Sequence, residues 1–383
     1  MRSSTFPVIR SVGMLVGSVI GVGVFGLPYA LSQGGIALGI LLLCVMAILL
    51  TVLTLMYGEV VLQTPGKQRL VGYTKRYLGG HWWIVSAICF TGSIWGAMLA
   101  YLLVGGDFIS SLFSLFGVAL PSFWGSLLLW GLVSALVYQG LRFASKLEVF
   151  LIGLLLFLFV FMILAAFPHV EVSHLFTMDW KLALVPYGVV LFSLAGAGSL
   201  PEIKEVLGRN AKSHMGWVIL LGMAIITSLY ALFSFVTVGV LGPETTQVAF
   251  DGLVPILGGA FRVVVALIGS VTIVSIYMIL GVELRNTFQY DFSLKKYQAW
   301  ALAVGVPLIF FLGGVREFII VVGFAGGVFG SILSIFNVWM YERMHAGLAK
   351  NDHHSFHVPK WVSLILVLAF FAGLVSEIIF LVS

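Results

Sequence analysis

Charge is what this chain has least of. Only 9% of its 383 residues are Asp, Glu, Lys or Arg, against about 25% in an ordinary globular protein. So few cannot build a water-facing surface, which excludes a soluble enzyme and a separate soluble domain. Cysteine is nearly absent. Cys44 and Cys89 are the only two, both inside apolar runs, so neither a disulfide framework nor a cysteine-based metal site can be assembled. His-Glu-x-x-His and Gly-x-Ser-Gly do not occur, and Gly105-Gly106-Asp107 lacks a second aspartate at matching depth. The chain therefore carries no motif of an intramembrane enzyme. What fills it is hydrophobic: 61% of residues, with a mean hydropathy of +1.13.

A helix needs roughly 20 apolar residues to cross a hydrocarbon core about 30 Å thick. Apolar runs bounded by charge, Pro or Gly fall near 9–31, 36–62, 82–116, 121–139, 147–167, 183–205, 215–241, 259–284, 299–314, 317–341 and 361–382. They predict an all-α polytopic membrane protein of about eleven transmembrane helices, a single membrane domain at home in a lipid bilayer. Arg2 and Arg10 precede the first run as in a signal peptide, but no small-residue cleavage site follows, so the run reads as a retained span.

Lys and Arg set the orientation. With the N-terminus inside, seventeen of the twenty fall on the inner side and only Lys181, Arg262 and Arg316 outside. That places the N-terminus in the cytoplasm and the C-terminus outside. The net charge of +5 is then a topology signal, and no nucleic-acid partner is invoked; no obligatory protein partner is evident either. The basic stretch from Thr64 to Gly80 suits an interfacial helix. His345, His353, His354 and His357 read as a solvated loop rather than a zinc site.

Two of the runs carry the same interruption. Gly21-Val22-Gly23-Val24-Phe25-Gly26-Leu27-Pro28 lies in the first, and Ser193-Leu194-Ala195-Gly196-Ala197-Gly198-Ser199-Leu200-Pro201 in the sixth. Gly admits unusual backbone angles and Pro removes a donor. Freed N–H and C=O groups in hydrocarbon cost several kcal/mol each unless satisfied, so a break at membrane depth must line a cavity or meet a ligand. Small residues four apart (Gly13, Gly17, Gly21) also serve plain helix packing, but the pairing favours a site. Five spans separate the breaks, an odd number, so the halves 9–167 and 183–341 run in opposite senses as a 5+5 inverted repeat, with 361–382 an extra C-terminal helix. Paired breaks in inverted halves point to a transporter's midplane site. Half-helix N-termini suit a carboxylate, and half-helix carbonyls suit an ammonium group or a small cation.

At these residues the chain resembles a known family. Val19-Ile20-Gly21-Val22-Gly23-Val24-Phe25-Gly26-Leu27-Pro28-Tyr29-Ala30 resembles the first-helix signature of the amino acid/auxin permeases, within the amino acid–polyamine–organocation superfamily. Tyr187–Ser193 through Pro201-Glu202-Ile203 resembles the sixth helix, Ala100–Asp107 the third and Val322–Gly330 the tenth. Bacterial aromatic and hydroxy amino acid permeases are the nearest match, which implies the bacterial cytoplasmic (inner) membrane. The resemblance implies that the N–H groups of Val22, Gly23 and Val24 hold a substrate carboxylate. The carbonyls of Val19, Phe192, Ser193 and Ala195 would take its amino group, and Phe192 or Tyr101 would cap the pocket. For Tyr101, packing between helices with a locally satisfied hydroxyl is an equal reading.

The coupling ion is left between two choices. Some relatives carry a lysine in the fifth helix; here Leu147 to Phe167 has none, and Gly153 stands at the matching position. Sodium-coupled relatives imply a cation on the carbonyls of Gly17 and Ile20 with hydroxyls such as Thr272 or Ser275, oxygens that suit a hard cation. Such hydroxyls also commonly bond their own helix. No other cofactor is implied. Intramembrane acids are functional suspects, and Glu59, Asp107, Glu202 and Glu283 are the candidates for proton coupling or, for those near cytoplasmic ends, a gating ion pair. Glu377, near the outer end of the last run, is expected at the interface. The function expected is secondary active symport, driven by sodium or protons, of a neutral amino acid, with aromatic ones the candidates, by alternating access. The alternatives are a channel or a non-transporting sensor on the same fold.

Overall fold

The computed structural model describes residues 5–66, 68–139, 144–176, 178–290, 292–347 and 357–382. His353 and His354 lie outside them. Lipid offers no partner to backbone N–H and C=O groups, so apolar runs must close their hydrogen bonds internally. Every regular element among the described residues is accordingly helical. In chain order they are α1 (Thr5–Val19), α2 (Gly23–Ser32), α3 (Ile36–Gln63), α4 (Leu70–Tyr77), α5 (Trp82–Leu115), α6 (Ser122–Gln139) and α7 (Ala144–Ala166). After short 3₁₀ turns come α8 (Tyr187–Leu194), α9 (Leu200–Leu207), α10 (Ala211–Leu241), α11 (Ala249–Tyr290), α12 (Lys296–Leu312) and α13 (Phe318–Phe324). A π-helical turn, Ala325–Gly330, joins α13 to α14 (Ser331–Gly347), and α15 (Lys360–Val382) ends the chain.

Among the described residues seven helical stretches are long and apolar enough to span a bilayer, or eight when α1 and α2, bent by 62°, count as one. Gly153–His169 and α12 are shorter apolar helices. The long run at 82–116 is one helix, α5. Within Thr64–Gly80, only Leu70–Tyr77 is helical, with Lys75 and Arg76 in its last turn where they complement the helix dipole.

The packing shows the repeat. Numbered as spans, α5 on α6 has its counterpart in α11 on α12; α6 on α11 is matched by α12 on α5; and α5 against α13 and the π turn is matched by α11 against α7. Where the two halves meet, one contact is its own mirror image. The Trp130 indole of α6 donates to the Val304 carbonyl of α12 at 2.8 Å, and the Trp300 indole of α12 donates to the Ser134 carbonyl of α6 at 2.8 Å. Trp130 faces Val304 while Ser134 faces Trp300, so the two helices run antiparallel. The protein is thus an all-α polytopic membrane protein built as an inverted-repeat helical bundle. Outside the repeat, α15 packs on α14, the π turn, α13 and α8.

Helices in lipid gain little from burying apolar surface against each other and associate through close packing. At the α5–α11 seam a Cβ on Gly105 would strike Leu129 and Ile273, and one on Gly269 would strike the Phe108 ring. Overpacking of this kind costs about 1–3 kcal/mol.

Candidate functional site

The helix formed by the first run stops at Val19 and resumes at Gly23; that formed by the sixth stops at Leu194 and resumes, after a 3₁₀ turn at Ala197–Ser199, at Leu200. The two interruptions face each other. A Cβ on Gly23 would strike the Ser193 hydroxyl and the Phe192 ring, and a Cβ on Gly196 would strike Val19. The hydroxyls of Ser18 and Ser199 are hydrogen-bonded at 2.9 Å. Residues 23, 19 and 18 thus meet 193, 196 and 199 in reverse order, an antiparallel crossing at the bundle centre.

Two buried tyrosines satisfy the backbone there. The Tyr101 hydroxyl, from α5, accepts the Val22 N–H at 2.9 Å. The Tyr230 hydroxyl, from α10, lies 3.2 Å from both the Val19 and the Ser193 carbonyls and shares its one proton between them. Those carbonyls end α1 and nearly end α8, where unpaired oxygens collect partial negative charge. Leaving such a group buried and unpaired costs about 1–3 kcal/mol. Beyond Ser193 the second break bonds locally: the Ala195 N–H donates to the Phe192 carbonyl at 3.4 Å, and the Ser199 hydroxyl to the Gly196 carbonyl at 3.2 Å.

Two cavities open in the bundle, and the crossing borders one of them. The larger, of about 870 Å³, is walled by Gly17, Ser18, the unwound Leu194–Ser199 backbone, Thr272 and Ser275, and reaches Gln68 and Arg69 beside α4. The rest of its wall is mostly apolar, including Leu50, Phe90, Ile94 and Ile276. At its mouth Arg69 sits 2.6 Å from Glu202 and 3.7 Å from Glu283. Arg69 is half exposed, so the pair is worth under about 1 kcal/mol of stability; it links the residue before α4 to α9 and α11. The smaller cavity, of about 340 Å³, contains Asp107, Asp251 and Arg316. Five rings buried in the bundle make edge or tilted contacts. Phe25 meets Phe108 and Phe159, Phe108 meets Phe250, and Phe159 meets Phe233, at centroid distances of 5.6, 5.5, 5.0 and 5.2 Å.

The sequence profile of the tryptophan/tyrosine permease family matches residues 5–379. The chain belongs to that family. It is similar to tyrosine-specific transport system 1 of Haemophilus influenzae, at 25% identity over 88% of each chain. It is also similar to glutamine transporter 2 of Aliivibrio fischeri, at 20% identity over 92% of this chain and 93% of that one. Among solved structures, MhsT in complex with L-phenylalanine superposes with a TM-score of 0.69 at 16% identity, covering 96% and 97% of the two chains, a likeness of fold. The family makes this permease a transport protein rather than an enzyme, and no cluster of three or more metal-ligating side chains occurs among the described residues. The resemblance read from the sequence holds at the level of amino acid permeases of the same superfamily.

The residues singled out in the permease's sequence fall into three groups. Gly17, Ala195, Thr272, Ser275, Glu202 and Glu283 line the larger cavity. Val19, Ile20, Val22, Gly23, Val24, Tyr101 and Ser193 are buried behind it, with Phe192 half-buried beside Gly23. Asp107 lies in the smaller cavity, and Glu59 is buried in α3, accepting a hydrogen bond from Gln63 at 2.8 Å. The Thr272 and Ser275 hydroxyls donate to the Ile268 and Val271 carbonyls of their own helix, both at 2.8 Å. Glu377 departs from expectation: it is 4% exposed, because α8 and the π turn close over it. Tyr230 and the Arg69 partnership went unread. The available signal for Tyr230 was a phenol in the middle of a long apolar run, which needs a hydrogen-bond partner.

Proposed function

We propose that this permease carries a neutral amino acid with an aromatic side chain by alternating access, in symport with sodium or protons. The observation that supports it best is the larger cavity, which ends on the unwound backbone of the sixth span and is otherwise mostly apolar. Apolar walls with a few convergent polar groups suit a zwitterion bearing a large apolar side chain. In this reading the carboxylate goes to the N–H groups of Val22, Gly23 and Val24. The ammonium goes to the carbonyls of Val19, Phe192, Ser193 and Ala195, two of which Tyr230 now occupies. Substrate entry therefore exchanges the tyrosine hydroxyls for substrate groups. The relatives' names, one tyrosine-specific and one for glutamine, support the neutral class.

Eleven crossings follow if α1–α2 and α8–α9 each make one span, α13 and α14 make another across the π turn, and α3, α5, α6, α7, α10, α11, α12 and α15 make eight more. With α4 and its basic residues on the cytoplasmic side of a bacterial inner membrane, the larger cavity faces inwards and the five rings close the outer side. Gly17, Thr272 and Ser275 line the same cavity, and their oxygens keep lone pairs for a sodium ion. The test is uptake into proteoliposomes of a panel of labelled aromatic, hydroxy and small neutral amino acids under sodium or proton gradients. Saturable, gradient-driven accumulation of an aromatic amino acid is expected; if no member of the panel accumulates with either ion, the symporter reading fails.

A further inference from the structure

We propose that Glu377 is a proton-binding site of the transport cycle, whose charge sets how α8 seats against α15; this rests on the symporter reading above. The α15 helix has one acid in its apolar run, Glu377, and the fold buries it. Its pocket is made of missing side chains. A Cβ on Gly188 of α8, on Gly323 of α13 or on Gly327 of the π turn would run into the Glu377 carboxyl group. The carboxyl group lies against the backbone of Gly188, in the first turn of α8, which has no side-chain cap of its own.

Among the described residues no cation answers it. The ion pairs among the described residues join Arg69 to Glu202 and Glu283, and His174 to Glu171. From the elements packed around it, α8 contributes the titratable Tyr187, whose hydroxyl is bonded to Ser331 of α14 at 2.7 Å. Three glycines, from α8, α13 and the π turn, lie directly against the carboxyl group. An ionised carboxylate in so dry a site is costly and is held by the positive end of α8. One proton from water converts it to a neutral carboxyl, which holds that helix end less strongly; release of the proton restores the grip. Only an O–H bond is made and broken. Since α8 is eight residues long and bears Phe192 and Ser193, a shift at Gly188 is delivered to the crossing. The π turn beside it is an irregularity often found where a helix must move.

Infrared pH-difference spectra of the purified permease should show a carboxylic-acid band that titrates and is missing in E377Q. E377D should move its midpoint, which serves if E377Q does not fold. In proteoliposomes, E377Q should keep substrate counterflow within about threefold of wild type and lose stimulation by an inward proton gradient. An unchanged spectrum in E377Q, or proton stimulation that survives in E377Q, overturns the proposal. Absence of counterflow in wild type overturns the permease reading instead, and the infrared comparison then decides alone whether Glu377 takes a proton.

Discussion

The two breaks look alike as letters and differ as structures. At the first, Val22, Gly23 and Val24 are buried, and hydroxyls from neighbouring spans serve its backbone: Tyr101 on the Val22 N–H and Tyr230 on the Val19 carbonyl. At the second, Ala195 and Gly198 are exposed to the cavity; Tyr230 takes the Ser193 carbonyl, and beyond it the backbone is served by its own turn. A break at membrane depth can thus be satisfied mainly by neighbouring spans or mainly within its own turn. The first kind is buried and already occupied; the second is the one a solute arriving from the cavity meets.

That contrast can be broken by substitution. The largest effect is expected from Gly23→Leu, which forces a side chain between Phe192 and Ser193. Substrate affinity should fall at least 100-fold, about 3 kcal/mol, in a binding assay on purified protein; unchanged affinity would remove the first break from the site. Next comes Tyr230→Phe, which leaves two buried carbonyls unpaired. A loss of about 1–3 kcal/mol should appear as a lower midpoint of thermal unfolding, and a wild-type midpoint would mean the hydroxyl does not bridge the breaks.

Tyr101→Phe should be milder and of a different kind. It orphans the Val22 N–H, so the free protein loses about 1 kcal/mol or more, while a bound carboxylate takes the vacated place. Saturating substrate should therefore raise the unfolding midpoint more in this variant than in wild type; an equal rise would show that carboxylate and phenol do not compete. Smallest of all is Gly198→Ala at the second break, where an added Cβ meets nothing within 4 Å. Affinity should stay within about twofold of wild type, and a loss rivalling that of Gly23→Leu would erase the distinction between the breaks.

How much of this could be read from letters depends on where each force acts. Composition fixes the solvent, so the membrane character is plain from 9% charge. Gly and Pro act on their own backbone, so Gly21-Val22-Gly23 and Pro28 signal locally. Tyr230 could not be placed, since its partners are main-chain carbonyls 211 and 37 residues away, and every residue owns a carbonyl. Glu377 failed for a related reason. Its position near a helix end suggests water, but what buries it is the lack of side chains at Gly188, Gly323 and Gly327, each in another element. The Glu202 and Glu283 pairing with Arg69 was half legible, as acids near cytoplasmic ends without a named partner.

The exchange between Trp130 and Trp300 bears on how such a molecule drifts without losing its shape. A contact that reads the same from either side is what a two-fold dimer makes between subunits; here one chain makes it with itself. The acceptors are the carbonyls of Ser134 and Val304, two residues with nothing in common as side chains. Because the main chain does the accepting, the halves can diverge almost everywhere while the seam keeps its symmetry. The inheritance lies in the geometry, and two indoles are enough to preserve it.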